Sequence, residues 1–235
     1  MPQIPPQTRN LIIACVAMFL LQQLHPALEQ FLLRWFALWP LQSGFFMPWQ
    51  LLSYAFLHGG IAHLLFNMLG LWMFGSDLER YWGERRYLQY VAVCTLSAAA
   101  AQLLITPLLG MSGETIGISG AIYGLLLAYA LAFPRRQFDL VGFLPMVLLM
   151  VPSLLLNVVG MMLYVTMLTN RGAVPIPPLP VKSLTMVAIF GAIELYQGLF
   201  MTAGGIAHFA HLGGMLGGWL MFVYWRNSRG TGRRR

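Results

Sequence analysis

The chain has 235 residues, of which 58% are apolar and 9% are charged, and its mean hydropathy is +0.69. A soluble domain typically carries about 25% charged residues, so this composition excludes a water-soluble globule. The formal net charge is +7. The basic residues stand in short clusters between apolar runs, which is a topology signal of membrane proteins rather than the pattern of a nucleic-acid-binding surface. We therefore predict a single polytopic membrane domain over residues 1–235, in contact with lipid and without a nucleic-acid partner.

Seven apolar runs follow one another along the chain. Their approximate ranges are 11–24, 61–76, 87–109, 118–133, 140–168, 184–200 and 206–225. A membrane span needs about 20 apolar residues, so these runs predict an all-α membrane protein with six or seven spans. The first run lacks a clear small-residue cleavage site, and we interpret it as a retained span rather than a signal peptide. Cys15 and Cys94 each lie inside a run, which gives no indication of a disulfide framework.

The segment between the first two runs, residues 25–60, is rich in Trp, Phe and Pro and carries few charges. Aromatic residues of this kind favour the lipid–water interface. We therefore expect this long loop to lie on the membrane or to dip into it.

The basic residues predict the orientation of the chain. If both termini are cytoplasmic, thirteen of the fourteen Lys and Arg residues fall on the cytoplasmic side and only Arg34 falls outside. Cytoplasmic loops carry an excess of Lys and Arg, so we predict cytoplasmic termini with residues 226–235 as a basic tail. The short tail and the lack of a transit segment favour a bacterial plasma (inner) membrane.

The run at 140–168 does not fit this orientation as an ordinary span. Both of its flanks are basic, with Arg135 and Arg136 before it and Arg171 and Lys182 after it, so both ends are expected on the cytoplasmic side. Its length is also short for two crossings of about 20 residues each. Four residues near its middle favour a break in the helix: Pro145, Pro152, Asn157 and Gly160. We predict a re-entrant or interfacial helical hairpin; the alternative is one ordinary span with an inverted topology downstream.

Three runs carry polar residues near one end, and polar residues inside spans are costly and tend to be functional. The second run begins with His63 and Asn67, the fourth with Ser119, and the last with His208 and His211. His63 and Asn67 are four residues apart, which places them on one helix face. In the predicted topology all three runs cross from outside to inside. The polar groups therefore lie at similar depth near the outer face and are expected to form one pocket.

These residue types suit nucleophilic catalysis. An imidazole can remove the proton of a hydroxyl at neutral pH, so Ser119 can pair with His208 or His211. Side-chain donors such as Asn67 and His63, together with a backbone N–H, can stabilise an oxyanion. Glu114 falls outside the membrane and Glu194 falls in the preceding span. We therefore expect a Ser–His dyad without a carboxylate partner.

Four motifs together resemble the rhomboid family of intramembrane serine proteases. They are His58 with His63 and Asn67, then Gly117-Ile118-Ser119-Gly120, then Ala210-His211 followed by Gly214 and Gly218, and, after the second run, Glu79, Gly83 and Arg86. The similarity extends from about residue 48 to residue 219, interrupted by the run at 140–168. Each motif is weak alone, but the first three, in this order and at matching depth, form a specific signal, and the fourth resembles a short cytoplasmic motif of the family.

The resemblance implies a six-helix bundle in which the extra hydrophobic hairpin lies between the fourth and fifth spans. It implies Ser119 as the nucleophile and His211 as the general base, because Gly-type positions follow that histidine at Gly214 and Gly218. Small residues at this spacing also let helices approach closely. The resemblance assigns Tyr123 to packing on the histidine ring and gives Gly117 and Gly120 supporting roles. His63, Asn67 and the Ser119 N–H would be the oxyanion donors.

The implied substrates are transmembrane segments of other membrane proteins, admitted from the lipid and cut near the outer face. The span 184–200 and the loop 201–205 would form the gate. The resemblance implies no cofactor and no metal. A zinc site formed by His58, His63, His208 and His211 is the disfavoured reading, because the chain has no His-Glu-x-x-His string.

Some of these residues also have purely structural explanations. Ser119 read alone is a small residue that permits helix packing. We expect His58 to anchor the long loop through hydrogen bonds and His208 to face the outer rim. The alternative function is a catalytically silent rhomboid-like protein that binds membrane helices, and the presence of the Ser–His pair argues against it.

Overall fold

A computed structural model describes residues 3–105, 107–110, 113–145, 148, 154–200 and 208–231. These residues form a predominantly helical protein. Its helices are α1 (Pro6–Leu24), α2 (Pro26–Phe36), α3 (Gln50–Ser53), α4 (Ile61–Gly70), α5 (Ser76–Trp82), α6 (Glu84–Ile105), α7 (Ser119–Ala132), α8 (Leu154–Thr169), α9 (Ser183–Phe200) and α10 (His208–Thr231). Two short strands, β1 (Gln137–Asp139) and β2 (Pro180–Lys182), depart from the purely helical prediction. The chain divides into two compact units, one formed by Met1–Tyr129 with Phe190–Arg235 and the other by Ala130–Ile189.

The first two helices each begin at a proline that follows a residue with extended backbone. Pro6 stands in the first turn of α1, where its missing N–H costs nothing. The helix ends at Leu24, and its C-cap residue, His25, is extended as expected of a residue before proline. The His25 imidazole then accepts a hydrogen bond from the Ala27 N–H and caps α2. The loop predicted between the first two spans thus contains a helix of its own.

A buried carboxylate satisfies the backbone at the start of α1. Glu79, on α5, accepts hydrogen bonds from the N–H groups of Gln7 (2.9 Å) and Thr8 (2.7 Å) and from the Thr8 hydroxyl (2.7 Å). The first N–H groups of a helix lack partners within it, and negative charge is favourable there. Gly83, with φ +80°, ends α5 just beyond this contact. The Glu79 and Gly83 motif therefore fixes the junction of three helices.

The segment 25–60 packs against α6. Leu38 and Tyr54 from the segment form a buried cluster with Ala99 and Leu103 of α6. The Tyr54 hydroxyl donates to the Thr95 carbonyl at 2.9 Å. The segment is thus a folded part of the protein.

Among the described residues, three helices are long and apolar enough to cross a membrane. They are Ile61–Trp82, which joins α4 and α5 through a π-helical turn at Leu71–Gly75, together with Glu84–Ile105 and Ser183–Phe200. Leu24, Leu155 and Phe200 are each more than half exposed, as expected of side chains that face lipid. Six spans remain a prediction, which assigns the other three to α1, α7 and α10.

In the second unit, the two ends of the predicted hairpin lie side by side. Strand β1 pairs antiparallel with β2, with Gln137 opposite Lys182. The Ser183 N–H also donates to the Arg136 carbonyl at 3.0 Å. The basic flanks of the insert are therefore neighbours, which is the arrangement that a hairpin needs.

Part of the predicted break in the insert is wrong. Helix α8 continues from Leu154 through Asn157 and Gly160 to Thr169. An asparagine costs a helix interior little and a glycine about 1 kcal/mol, which a long apolar helix tolerates. Pro152 lies outside the described residues, and the hairpin itself stays a prediction.

Candidate active site

Ser119 and His211 come together although 92 residues separate them in sequence. Ser119 is the first residue of α7, and His211 lies in the first turn of α10. The Ser119 Oγ is 2.7 Å from the His211 Nε2, and His211 is only 7% exposed. This is the contact through which an imidazole removes a hydroxyl proton.

Glycines allow this contact because the backbones of α7 and α10 touch. A Cβ at Gly214 would overlap the carbonyl group of Gly120, and a Cβ at Gly120 would lie 3.1 Å from the Ala210 carbonyl oxygen. Gly214 thus has the close-approach role that the small-residue spacing predicted. Gly218 instead faces Tyr90 and therefore accommodates α6.

Tyr123 lies one helical turn beyond Ser119 and stacks on His211. Its ring is 4.4 Å from the His211 ring, centroid to centroid, at an interplanar angle of 9°. Its hydroxyl donates a hydrogen bond to the Glu194 carboxylate. One side of the His211 ring is therefore fixed by an aromatic face.

Glu194 corrects the expectation of a dyad without a carboxylate. Its Oε2 lies 3.0 Å from the His211 Nδ1 and 2.7 Å from the His208 Nδ1. The residue is 5% exposed. The sequence carried a signal for this arrangement, because a charged residue inside a span usually faces the protein interior and finds a partner there.

His208 is buried rather than exposed at the outer rim, so that expectation is also wrong. It is 6% exposed, and its ring centroid lies 6.4 Å from that of His211. The two histidines are three residues apart on α10, which places them on the same helix face. His208 is therefore in the same cluster as His211, and it bonds the carboxylate that lies beside the His211 Nδ1.

Gly117 places the loop before α7 next to two side-chain donors. Its φ is +107°, and a Cβ there would lie 2.6 Å from the His63 Nε2 and 3.4 Å from the Asn67 Nδ2. Only glycine adopts this backbone without strain. His63 and Asn67 thus both point at the loop that leads into Ser119.

Both side chains can donate into this space. The Gly59 N–H donates to the His63 Nδ1 at 3.4 Å, which leaves Nε2 as the protonated nitrogen of a neutral ring. Asn67 is 4% exposed, and its Nδ2 has no hydrogen-bond partner in the described part of the chain. A buried donor without a partner is costly and is available to a developing oxyanion.

The segment 25–60 holds this loop in place. Thr115 and Leu38 exchange two backbone hydrogen bonds of 2.9 and 3.0 Å, and the Gly117 N–H donates to the Tyr54 carbonyl at 2.9 Å. His58 anchors the same segment to α1, since its N–H and its carbonyl both bond the Gln22 side chain, at 3.1 and 3.2 Å. These two bonds involve the His58 backbone, and its ring Nδ1 lies 3.2 Å from the Phe56 carbonyl within the same segment, so the anchoring role expected of the His58 side chain stays a prediction.

One cluster of possible metal ligands occurs among the residues described, and it consists of Glu194, His208 and His211. It differs from the four-histidine site considered from the sequence. Its nitrogen and oxygen atoms are already within hydrogen-bond distance of one another, at 2.7 and 3.0 Å.

Known proteins are similar in sequence to part of this chain. A family model described as the rhomboid domain matches residues 46–166, a stretch that includes His63, Asn67 and Ser119 and ends before His211. The rhomboid protease GluP of Bacillus subtilis (strain 168) is 37% identical over 92 residues, which cover 38% of this chain and 17% of that protein.

The rhomboid protease GlpG of Yersinia pestis (strain Pestoides F) is 29% identical over 126 residues, 53% of this chain and 42% of that protein. GlpG of Yersinia pseudotuberculosis serotype O:3 (strain YPIII) matches to the same extent. The aligned stretch is thus less than half the length of these relatives. The family model covers more than half of this chain, and the chain is an integral membrane protein that belongs to the rhomboid family.

Proposed function

We propose that this chain is an intramembrane serine endopeptidase that cleaves transmembrane segments of other membrane proteins near the outer face. The observation that carries the proposal is the 2.7 Å contact between the Ser119 Oγ and the His211 Nε2. The unpartnered Nδ2 of Asn67 beside the loop that precedes Ser119 supports it. The relatives are named rhomboid proteases, which is consistent with this chemistry.

In the proposed reaction, the Ser119 Oγ attacks the carbonyl carbon of the scissile peptide while the His211 Nε2 accepts its proton. The carbonyl oxygen becomes an oxyanion, and the Asn67 Nδ2, the His63 Nε2–H and the Ser119 N–H donate to it. The tetrahedral intermediate then collapses. His211 returns the proton to the leaving amine, and an ester to Ser119 remains.

Water completes the cycle by the same groups. His211 removes a proton from a water molecule, which attacks the ester carbonyl and forms a second oxyanion. Collapse of that intermediate releases the new carboxylate and returns the proton to the Ser119 oxygen. Every step uses one base and one set of donors, so no cofactor is needed.

The substrate enters from the lipid in this proposal. We assign the gate to the span 184–200 and the loop 201–205, of which the loop lies outside the described residues. The proposed setting is a bacterial plasma membrane with both termini in the cytoplasm. In that orientation Ser119, His63, Asn67 and His211 all lie near the outer face, and cleavage occurs there.

The test is proteolysis of a model single-span substrate in liposomes by the wild-type chain and by Ser119→Ala. We expect cleavage by the wild type only, and labelling of the wild type only by a serine-reactive fluorophosphonate. Ser228→Ala is the matched control, since Ser228 is exposed near the end of α10, and it should cleave normally. A Ser119→Ala variant that cleaves as fast as the wild type would overturn the proposal.

A further inference from the structure

We infer that Glu194 is a positioning residue for His211, so that the catalytic pair works as a Ser–His–Glu triad. This inference rests on the proposed function and deepens it. The two nitrogens of His211 face different partners: Nε2 is 2.7 Å from the Ser119 Oγ, and Nδ1 is 3.0 Å from the Glu194 Oε2. The buried His211 Nδ1 makes no aligned hydrogen bond within the described residues, and the Glu194 carboxylate is the charged group beside it.

The position of the carboxylate selects the useful tautomer of the base. A neutral histidine accepts the serine proton at Nε2 only if its own proton is on Nδ1. A carboxylate beside Nδ1 favours that tautomer. It also stabilises the imidazolium that forms when the Ser119 proton arrives, without itself being protonated. The N–H of His211 is not aligned straight at the oxygen in the free protein, and such bonds often tighten when substrate binds.

Glu194 is itself held by groups other than the base. The Tyr123 hydroxyl donates to its Oε1, and the His208 Nδ1 donates to its Oε2 at 2.7 Å. Tyr123 also stacks on the His211 ring. A single aromatic residue thus fixes both the base and the carboxylate that faces it, while His208 fixes the carboxylate from the opposite oxygen.

The cost of burying Glu194 is the reason to expect a role beyond packing. A carboxylate inside a membrane span is expensive and is found where it has partners and a function. All of its donors come from the cluster around Ser119. An apolar residue at this position of α9 would pack between the helices at lower cost, but it would leave the His211 Nδ1 without a charged partner.

A hydrogen-bonded cluster accounts for the distances better than a metal site does. Nitrogen and oxygen ligands of tetrahedral zinc lie about 2.0–2.1 Å from the ion, which keeps the ligand atoms about 3.3 Å apart. The Glu194 Oε2 is 2.7 Å from one histidine nitrogen and 3.0 Å from the other. Both distances are shorter than the separation of two ligands of one zinc ion, and they fit a hydrogen bond from His208 to Glu194 with His211 beside the same oxygen.

The test compares Glu194→Gln, Glu194→Asp and the wild type, with Glu114→Gln as the matched control because Glu114 is exposed outside the cluster. Three quantities are measured: kcat and KM for the model substrate, the rate of Ser119 labelling by a fluorophosphonate without substrate, and the midpoint of thermal unfolding in detergent. The labelling rate reports the reactivity of Ser119 and does not depend on how a substrate helix enters.

We expect Glu194→Gln to lower kcat and the labelling rate together, by about 100-fold or more, since loss of the corresponding carboxylate in serine proteases costs up to about 10⁴-fold. KM should change by less than about threefold because the carboxylate does not contact the substrate. Glu194→Asp keeps the charge and should recover at least a tenth of the wild-type labelling rate. Glu114→Gln should behave as the wild type.

Two results would overturn the inference while leaving the proposed function intact. The first is Glu194→Gln with kcat and labelling close to wild type. The second is a change in KM alone, which would assign Glu194 to the packing or gating of α9. An activity that a chelator removes and zinc restores would also overturn it in favour of a metal site. A wild-type chain that neither cleaves nor labels would overturn the proposed function as well.

If Glu194→Gln does not fold, Tyr123→Phe and His208→Gln provide the test. Tyr123→Phe keeps the ring on His211 and removes only the donor to Glu194. We expect each variant to lower the labelling rate by about three- to tenfold, because each removes one of the hydrogen bonds that hold Glu194 and leaves the carboxylate itself in place. Wild-type labelling rates in both variants would overturn the inference.

Discussion

Two carboxylates in this protein each gather several donors, and their neighbours differ. Asp139, in the unit Ala130–Ile189, accepts hydrogen bonds from the Val141 N–H (3.1 Å), the Leu179 N–H (2.9 Å) and the Arg171 Nε (2.9 Å). Glu194, in the other unit, accepts from Tyr123 and His208 and faces the His211 Nδ1. Both carboxylates are satisfied, so counting bonds does not distinguish them.

The two clusters differ in whether the groups around the carboxylate can transfer a proton at neutral pH. Guanidinium groups and backbone N–H groups do not act as acids at neutral pH, so the Asp139 cluster is a fixed staple, a set of bonds that holds the ends of the insert together. Histidine changes its protonation near neutral pH, and His211 is in contact with a hydroxyl at its other nitrogen. The Glu194 cluster can therefore support a proton transfer, and the Asp139 cluster cannot.

The largest expected effect separates the two clusters by the side chain that faces each carboxylate, His211 in one and Arg171 in the other. His211→Ala should reduce kcat by at least about 10⁴-fold, because Ser119 loses its base. The double variant with Ser119→Ala should be no worse, since the two residues act as a unit. Arg171→Ala, the matched change in the other cluster, should leave kcat unchanged in the same liposome assay.

A His211→Ala variant with near-normal turnover would move the base to His208. Loss of activity in Arg171→Ala, with the protein folded, would mean that the insert takes part in the reaction. Either result would contradict the proposed difference between the Glu194 cluster, which supports proton transfer, and the Asp139 cluster, which only holds the ends of the insert together.

Asn67→Ala tests whether Asn67 stabilises the oxyanion that forms when Ser119 attacks the substrate. We expect kcat to fall by about 10²–10³-fold with little change in KM, because an oxyanion donor acts in the transition state. Kinetics with the model substrate measure both. Asn227→Ala is the control, since Asn227 is exposed on α10. A change confined to KM would show that Asn67 binds substrate and does not stabilise the oxyanion.

Much of the arrangement around Ser119 could be predicted from the sequence, because its motifs are short and local. His63 and Asn67 lie in the first two turns of α4, and Ser119 begins α7 two residues after Gly117, so each motif belongs to one helix start. Glu194 and its bond to His208 could not be assigned in this way, since they depend on how α9 and α10 are rotated about their axes. The apolar run around Glu194 has no periodicity that shows which face is inward.

The insert was less predictable for a different reason. Strands of three residues, such as Gln137–Asp139, carry too little pattern to stand out from a loop. The helical break assigned to Asn157 and Gly160 was wrong because intrinsic propensity is a weak effect within a long apolar helix. The sequence predicted that the ends of the insert would share one side of the membrane. It did not predict the strand pairing that brings them into contact.

The next comparison is between Gly214 in one unit and Gly142 in the other, which differ in the space available for a Cβ. Gly214→Ala puts a Cβ into the backbone of Gly120, where no side-chain rotation can relieve the overlap. We expect a loss of about 1–3 kcal/mol in unfolding free energy, with weaker Ser119 labelling because α7 and α10 must separate. Gly142→Ala has no atom within 4 Å of the new Cβ and should change the unfolding midpoint and the labelling rate little. Equal effects of the two substitutions would show that the α7–α10 contact is not close in solution.

The smallest expected effect concerns Asp139 and acid pH. Partial burial raises the pKa of Asp139, but hydrogen bonds from Leu179, Arg171 and Val141 and the Arg171 charge lower it more, so its pKa lies below the ordinary 3.8. A carboxyl group whose folded pKa is depressed contributes stability above its unfolded pKa and loses it as the pH falls through the folded value. The staple should therefore be intact at neutral pH and should loosen only below about pH 4.

Hydrogen exchange can test this at the Val141 and Leu179 amides. In the wild type their protection should fall as the pH drops below about 4, after correction for the intrinsic exchange rate. In Asp139→Asn it should be lower at neutral pH and lose that additional dependence on acid. The expected change is small because an ion pair with partly exposed side chains contributes about 0–1 kcal/mol. If Asp139→Asn also lowered the Ser119 labelling rate, the two carboxylates would be coupled, and Asp139 would be more than a local staple.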